Sequence, residues 1–479
     1  MSNDGTTLAD SGRRDQARVQ HTAGLSHALT GLAGASIEWY DFLLYSTAAA
    51  LVFPTMFFPA TLSPLVALIA SFSTFAVGFV ARPIGAVLFG VMGDRVGRKT
   101  AFAAALILMG AATTLIGFLP SYQTAGVLSP LALTLLRFLQ GLAVGGQWGG
   151  ATLLATESVP KSRRGLYGSI AQAGLPVGIV LANLALLIAN GATSPAEFLA
   201  YGWRIPFLLS IALVGLGLFI HFRVEDTVAF RKLQQAKSSS LDPLGKTSTP
   251  DAPKHARRPI RDNTSPILEA FHLYPRQILL AAGANVGGML AFYILITYVV
   301  AYGASAAGLQ LPRSTMLAAL LIAQVVFLPS VIFAGALSDL FGRRPIIMAG
   351  VALLGVWGFI LFPMIETRSL LWISVAISVG LFFVSLCYGP LAALFAELFG
   401  TRVRYCAVSL AYQISAIVGG ALAPIVATGL HAKYHSNIAI SFYIAAASAL
   451  SLVCVSMLKK TQETDIDDHA MPAVALHQG

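Results

Sequence analysis

Few side chains able to do proton or anion chemistry lie in the apolar part of this 479-residue chain, and they cluster. The stretch GASIEWYDFLLY (34–45) places Glu38 and Asp41 three residues apart, on one face of a helix. Arg82 and Arg137 are each embedded in a long apolar run. Any of these groups costs about 2.5–3.5 kcal/mol at the centre of a lipid-facing helix, so all must face a polar cavity or one another. A carboxylate in a low-dielectric cavity can accept a proton, and a guanidinium can hold a carboxylate through two parallel hydrogen bonds. When the acid takes a proton, its guanidinium partner is freed to hold an anion. The pattern suits reversible proton and anion binding. A static bridge that merely joins helices would use the same residues, and that alternative stays open at this level.

Other chemistry is poorly represented. Cys387, Cys406 and Cys454 fall in apolar runs without ligand or disulfide spacing and read as small buried hydrophobes. The histidines lie in tails, loops or helix ends, so no metal and no cofactor are expected. With no nucleophile–base pair visible, the chain is not expected to be an enzyme. GDRVGRKT (93–100) has the wrong spacing for a phosphate-binding loop.

The elements that must position these residues are membrane spans. The composition is 56% hydrophobic and 11% charged, with mean hydropathy +0.74, where soluble chains are about one quarter charged. The +10 net charge resides in short connections between apolar runs, a topology signal rather than a nucleic-acid face. No cleavable signal peptide is expected. Twelve spans are expected, at about 28–53, 64–91, 100–120, 127–155, 165–191, 204–222, 277–304, 315–338, 345–364, 369–395, 405–430 and 437–458. This is an all-α membrane protein with a tail (1–27), a six-helix bundle (28–223), a linker (224–275), a second six-helix bundle (276–458) and a tail (459–479). The linker is rich in Ser, Pro and Lys, with room for a surface helix near Pro266–His272. The loops after spans 2, 4, 8 and 10 carry Arg95, Arg98, Lys99, Lys161, Arg163, Arg164, Arg343, Arg344, Arg402 and Arg404. The opposite loops carry Arg204, Arg313, Arg368 and Lys433. That bias puts both termini of the multi-pass chain in the cytoplasm.

The halves repeat. GVMGDRVGRK (90–99) aligns with GALSDLFGRR (335–344), matching Asp94 with Asp339, Gly97 with Gly342 and Arg98 with Arg343. A weaker echo pairs Glu157 and Arg164 with Glu397 and Arg404. A 6+6 duplication is the layout of an alternating-access transporter. Asp94 follows a helix carboxyl end, an unfavourable place for an anion, so it should seek Arg98, another arginine or a neighbouring helix amino terminus. These residues, with Arg82 and Arg95, are expected to form a gate. The first copy is expected to matter more, because Leu340 replaces Arg95 in the second.

The decapeptide pair resembles the loop signature of the major facilitator superfamily. GASIEWYDFLLY, ARPIGAVLFGVMGDRVGRK, LRFLQGLAVGGQWGGATLLATESVPKSRRG and GWRIPFLLS resemble its metabolite:proton symporter branch over about residues 28–458. One departure is Gln147, where many members carry Glu. The resemblance implies two bundles related by a pseudo-two-fold axis, proton-coupled uptake, and a cavity lined by spans 1, 4, 7 and 10. At 1.5 Å per residue, Glu38, Asp41 and Arg137 lie about 15–20 Å deep, near the midplane. Asp41 and Glu38 are the candidate proton carriers, Asp41 preferred for depth, and Arg137 the candidate anion ligand. Tyr40, Gln140, Gln147, Gln172, Tyr293, Tyr298, Tyr388 and Gln413 are candidate polar wall. One deep guanidinium suits a mono- or dicarboxylic acid, and the resemblance suggests shikimate-like or α-ketoglutarate-like compounds, carried with protons by a monomer. An osmosensing proline/betaine carrier is disfavoured by a heptad-free tail. A drug/proton antiporter is disfavoured by GLPVG (174–178), only a partial match to the exporter pattern.

Overall fold

The computed structural model describes residues 4–223, 266–304, 308–401 and 403–458. Helices and turns make up the whole of this, with no strand among the described residues. Twelve helical spans follow in order: α1 (Asp4–Leu51), α2 (Pro64–Arg95), α3 (Arg98–Phe118), α4 (Leu128–Glu157), α5 (Arg164–Gln172 and Gly174–Gly191), α6 (Arg204–Leu208 and Ile211–Arg223), α7 (Pro275–Tyr293, continuing to Ala304), α8 (Arg313–Phe341), α9 (Arg343–Glu366), α10 (Leu370–Tyr388 and Leu391–Leu398), α11 (Arg404–Ser415, continuing to Tyr434) and α12 (Ile438–Met457).

Ten of these are long and apolar enough to cross a membrane among the described residues. The other two have visible reasons for falling short. Glu38 and Asp41 dilute α1, and α6 breaks after Leu208. Val80, Leu88, Leu135, Leu187, Val325 and Phe442 are each more than half exposed, which is the pattern of a lipid-facing surface. α1 starts at Asp4, so the segment read as an N-terminal tail is mostly continuous helix. The expected surface helix is present as Pro266–Leu273. The rest of the linker and the C-terminal tail lie outside the described residues.

The bundles are built alike. In the first, α2 packs on α4, α1 on α5 and α3 on α6; in the second, α8 packs on α10, α7 on α11 and α9 on α12. Between them, α2 meets α11 and α5 meets α8. These two contacts exchange under a pseudo-two-fold axis that maps α2 onto α8 and α5 onto α11. The fold is therefore twelve transmembrane helices in two six-helix bundles.

Candidate functional site

Asp41 sits in a nest of polar groups inside the first bundle. Its carboxylate is 1% exposed and accepts hydrogen bonds from Thr113 Oγ1 (2.5 Å) and Gln140 Nε2 (2.8 Å). Arg137 Nη1 stands 3.5 Å from Asp41 Oδ2 and donates to Gln140 Oε1 (3.1 Å). The guanidinium lies over the Tyr45 ring at 4.1 Å, and the Tyr45 hydroxyl bonds Thr74 Oγ1 at 2.8 Å. Helices α1, α2, α3 and α4 thus each supply a piece. Gly78 on α2 makes the nest possible, because a Cβ there would strike the Arg137 guanidinium. The pairing expected between Asp41 and Arg137 is present. Thr113 escaped the sequence reading; its only signal was a pair of hydroxyls, Thr113 and Thr114, inside an otherwise apolar span.

Glu38, one turn away, faces elsewhere. It lines a hollow between the bundles with Trp39, Phe42, Arg82, Met289, Tyr293, Tyr412 and Ala416. An adjoining hollow adds Asn285, Phe292, Phe327 and Tyr388. Three tyrosines of the second bundle, Tyr293, Tyr388 and Tyr412, lie within electrostatic reach of the Glu38 carboxylate. Arg82 stacks on Phe79 (4.2 Å) and Phe42 (5.6 Å), and it lines the hollow together with Tyr293 of the other bundle. Stretches of wide π-turn, Ile294–Tyr298 in α7 and Ala416–Ala421 in α11, begin where these helices border the hollow. The sequence reading placed Arg82 in the gate. The structure puts it at the hollow, because Arg82 lies about three helical turns before Asp94 on α2.

Several candidate wall residues join helices instead. Tyr40 donates to the Pro206 carbonyl (2.8 Å) within the first bundle, and Gln147 Nε2 contacts Met109 Sδ at 2.9 Å. Gln172 Nε2 bridges the bundles by donating to the Tyr388 (2.5 Å) and Gly389 (3.1 Å) carbonyls. Tyr298 donates to Asn437 Oδ1 (3.1 Å) and stacks on Tyr302. Gln413 is buried in α11, its Oε1 without a hydrogen-bond partner among the described residues. Which neighbour Tyr40, Gln147, Gln172 and Tyr298 meet depends on helix packing, which residue type alone does not reveal.

At the basic end the bundles are clamped by two matching locks. Asp94 forms an ion pair with Arg98 and accepts from the Tyr405 and Cys406 backbone N–H groups (both 3.1 Å), so it caps the start of α11. Asp339 pairs with Arg343 and accepts from Gly165 N and Leu166 N (both 2.9 Å), capping the start of α5. The positive φ of Gly97 (142°) and Gly342 (95°) turns the chain between each Asp and its Arg. One pair of the weaker sequence echo, Glu157 with Arg404, crosses the interface. Arg404 Nη1 donates to Glu157 Oε1 at 2.8 Å, with Arg98 Nε 3.6 Å from Glu157 Oε2, while Arg343 Nη2 donates to Glu397 Oε1 at 3.2 Å. Arg98 and Arg343 also donate to the carbonyls of Thr401 (2.7 Å) and Lys161 (3.2 Å) in the opposite halves. Arg164 is buried at the head of α5. Arg95 is exposed at the end of α2, and both locks are assembled without it.

The chain is similar to known transporters in sequence and in fold. The family model described as "Sugar (and other) transporter" matches residues 28–470. The inner membrane metabolite transport protein YhjE of Escherichia coli K12 is 38% identical over 91% of this chain and 94% of its own length. The shikimate transporter of the same organism is 34% identical over 94% and 98%. Among solved structures, the proton:xylose symporter XylE bound to 6-bromo-6-deoxy-D-glucose superposes with a TM-score of 0.73. It covers 94% of this chain and 99% of that one, at 18% identity.

Proposed function

From a chain that belongs to the sugar (and other) transporter family of the major facilitator superfamily, and whose relatives are transporters rather than enzymes, we propose proton-coupled uptake of a small mono- or dicarboxylic acid by alternating access. The observation that carries the reading is the Asp41–Arg137 pair, held by Thr113 and Gln140 at a hollow inside the first bundle whose wall, Arg82, it shares with the hollow between the bundles. Protonation of Asp41 removes the charge that Arg137 faces, leaving a net positive field that favours an anion and couples proton to substrate. The name of one relative, the shikimate transporter, supports an organic acid; the hollow, with its tyrosines and Asn285, suits a hydroxylated or ring skeleton.

In this proposal the basic end is cytoplasmic, both termini lie on that side, and the two locks are the gate that opens to release substrate inward. The chain sits in the bacterial inner membrane and works as a monomer.

The test is uptake into proteoliposomes under an imposed proton gradient. Asp41→Asn is expected to abolish accumulation against a gradient while still permitting exchange of labelled for unlabelled substrate. Accumulation equal to the parent would make the nest a structural bridge and end the coupling role.

A further inference from the structure

Two guanidinium groups serve this site, and they are held very differently. Arg137 faces Asp41 inside one bundle, roofed by Tyr45 and wedged against Gly78. Arg82 lines both the hollow beside Asp41 and the hollow between the bundles, so it is the cation shared by the two. Glu38 and Arg82 line the latter together and lie within electrostatic reach, yet no salt bridge within 4.0 Å joins them among the described residues. Arg82 Nε, buried, has no hydrogen-bond partner among them either. A carboxylate and a guanidinium that line one cavity without closing on each other can both reach a third group that enters it.

We propose that Arg82, rather than Arg137, anchors the substrate carboxylate, and that Glu38 is the neighbouring acid whose protonation admits it. The argument rests on the transport reading above and names the ligand-binding side chains within it. With Glu38 ionised, an incoming carboxylate meets like charge beside Arg82; with Glu38 neutral, Arg82 stands as an uncompensated cation and Glu38 becomes a hydrogen-bond donor to the same ligand. The groups facing Glu38 bear this out: Asp41 on its own helix, Arg82 on α2, and only neutral hydroxyls from α7, α10 and α11, namely Tyr293, Tyr388 and Tyr412. Among the described residues, no cation of the second bundle lines the hollow. Across the hollow, Tyr293, Tyr412 and Asn285 offer hydrogen bonds and flat faces to the rest of the molecule. The ligand class that fits is a carboxylate on a hydroxylated, compact skeleton, its carboxylate toward the first bundle and its hydroxyls toward the second.

The experiment measures binding to purified protein by quenching of tryptophan fluorescence, since Trp39 lines both hollows. The probes are shikimate, its methyl ester, α-ketoglutarate and glycine betaine, tested from about pH 5.5 to 8, where the probe carboxylates stay ionised. The parent is expected to prefer an acid to its ester, and to bind the acid more weakly as pH rises. Arg82→Gln is expected to lose roughly 100-fold in acid affinity, as for one partner of a buried charge pair, and to treat acid and ester alike. Arg82→Lys keeps the charge but not the planar fork, and should lose at least about tenfold, so it decides the matter if Arg82→Gln does not fold. Glu38→Gln should bind the acid with a much shallower pH profile than the parent. A parent that binds neither acid, or only betaine, overturns the transport reading and this inference together. A parent that binds an acid, with either Arg82 variant retaining full preference over the ester or Glu38→Gln retaining the parent's pH profile, overturns this inference alone.

Discussion

At the scale of single residues, two acids one turn apart have different surroundings because a helix turns about 100° per residue. Three residues rotate the side chain enough that Asp41 enters the bundle while Glu38 looks across the interface. The Thr113 hydroxyl is the smallest part of the nest and the easiest to test. Its hydrogen bond to a buried carboxylate is worth about 1.5–3 kcal/mol. Thr113→Val is expected to cut proton-driven uptake several-fold with the protein still folded, and Thr113→Ser to restore it. Uptake by Thr113→Val equal to the parent would show that Asp41 does not depend on this donor.

At the scale of helices, the repeated loops do one job twice. Each Asp lies at the carboxyl end of one helix, where the macrodipole disfavours an anion, and is stabilised by the amino terminus of a helix in the other bundle. The sequence favoured a dominant first copy on account of Arg95. The structure leaves Arg95 outside the lock and gives both copies the same capping geometry. Asp94→Asn and Asp339→Asn are therefore expected to slow turnover comparably, with substrate affinity within about twofold of the parent, since neither side chain borders the hollow. A loss of binding equal to the loss of transport would place the locks in the binding site instead. For the cross-interface pair, Glu157→Gln and Arg404→Gln should be strongly non-additive in thermal stability, because breaking one partner of a buried ion pair already strands the other.

At the scale of the whole molecule, the cross-bundle hydrogen bonds gather at the basic end, and the stacked pair Trp148–Tyr412 (3.9 Å between ring centres) crosses the interface beside the hollow. In the proposed cycle both locks part together for inward release, since the axis relating them passes between the bundles. The orientation proposed above has a direct check. Arg95 and Arg368 are exposed at opposite ends, so a cysteine at 368 should react with an impermeant maleimide in intact bacterial cells. A cysteine at 95 should react only after permeabilisation. The reverse pattern would invert the molecule.

Class, span number and the 6+6 repeat were legible in the chain itself, because each depends on composition or local periodicity: apolar runs of membrane length, short basic loops, and a decapeptide recurring at the same place in each half. The midplane acids and arginines were legible for the same reason, since charge is conspicuous against an apolar background. Which groups meet was another matter. That Asp41 takes Arg137 with Thr113 and Gln140, that Arg82 borders the hollow rather than the gate, that Tyr40, Gln147 and Tyr298 satisfy neighbouring helices, and that Glu157 pairs with Arg404 of the other half all depend on helix rotation and on which helices pack together. Those are set by the summed fit of many small side chains along each interface, so only the tertiary structure decided them.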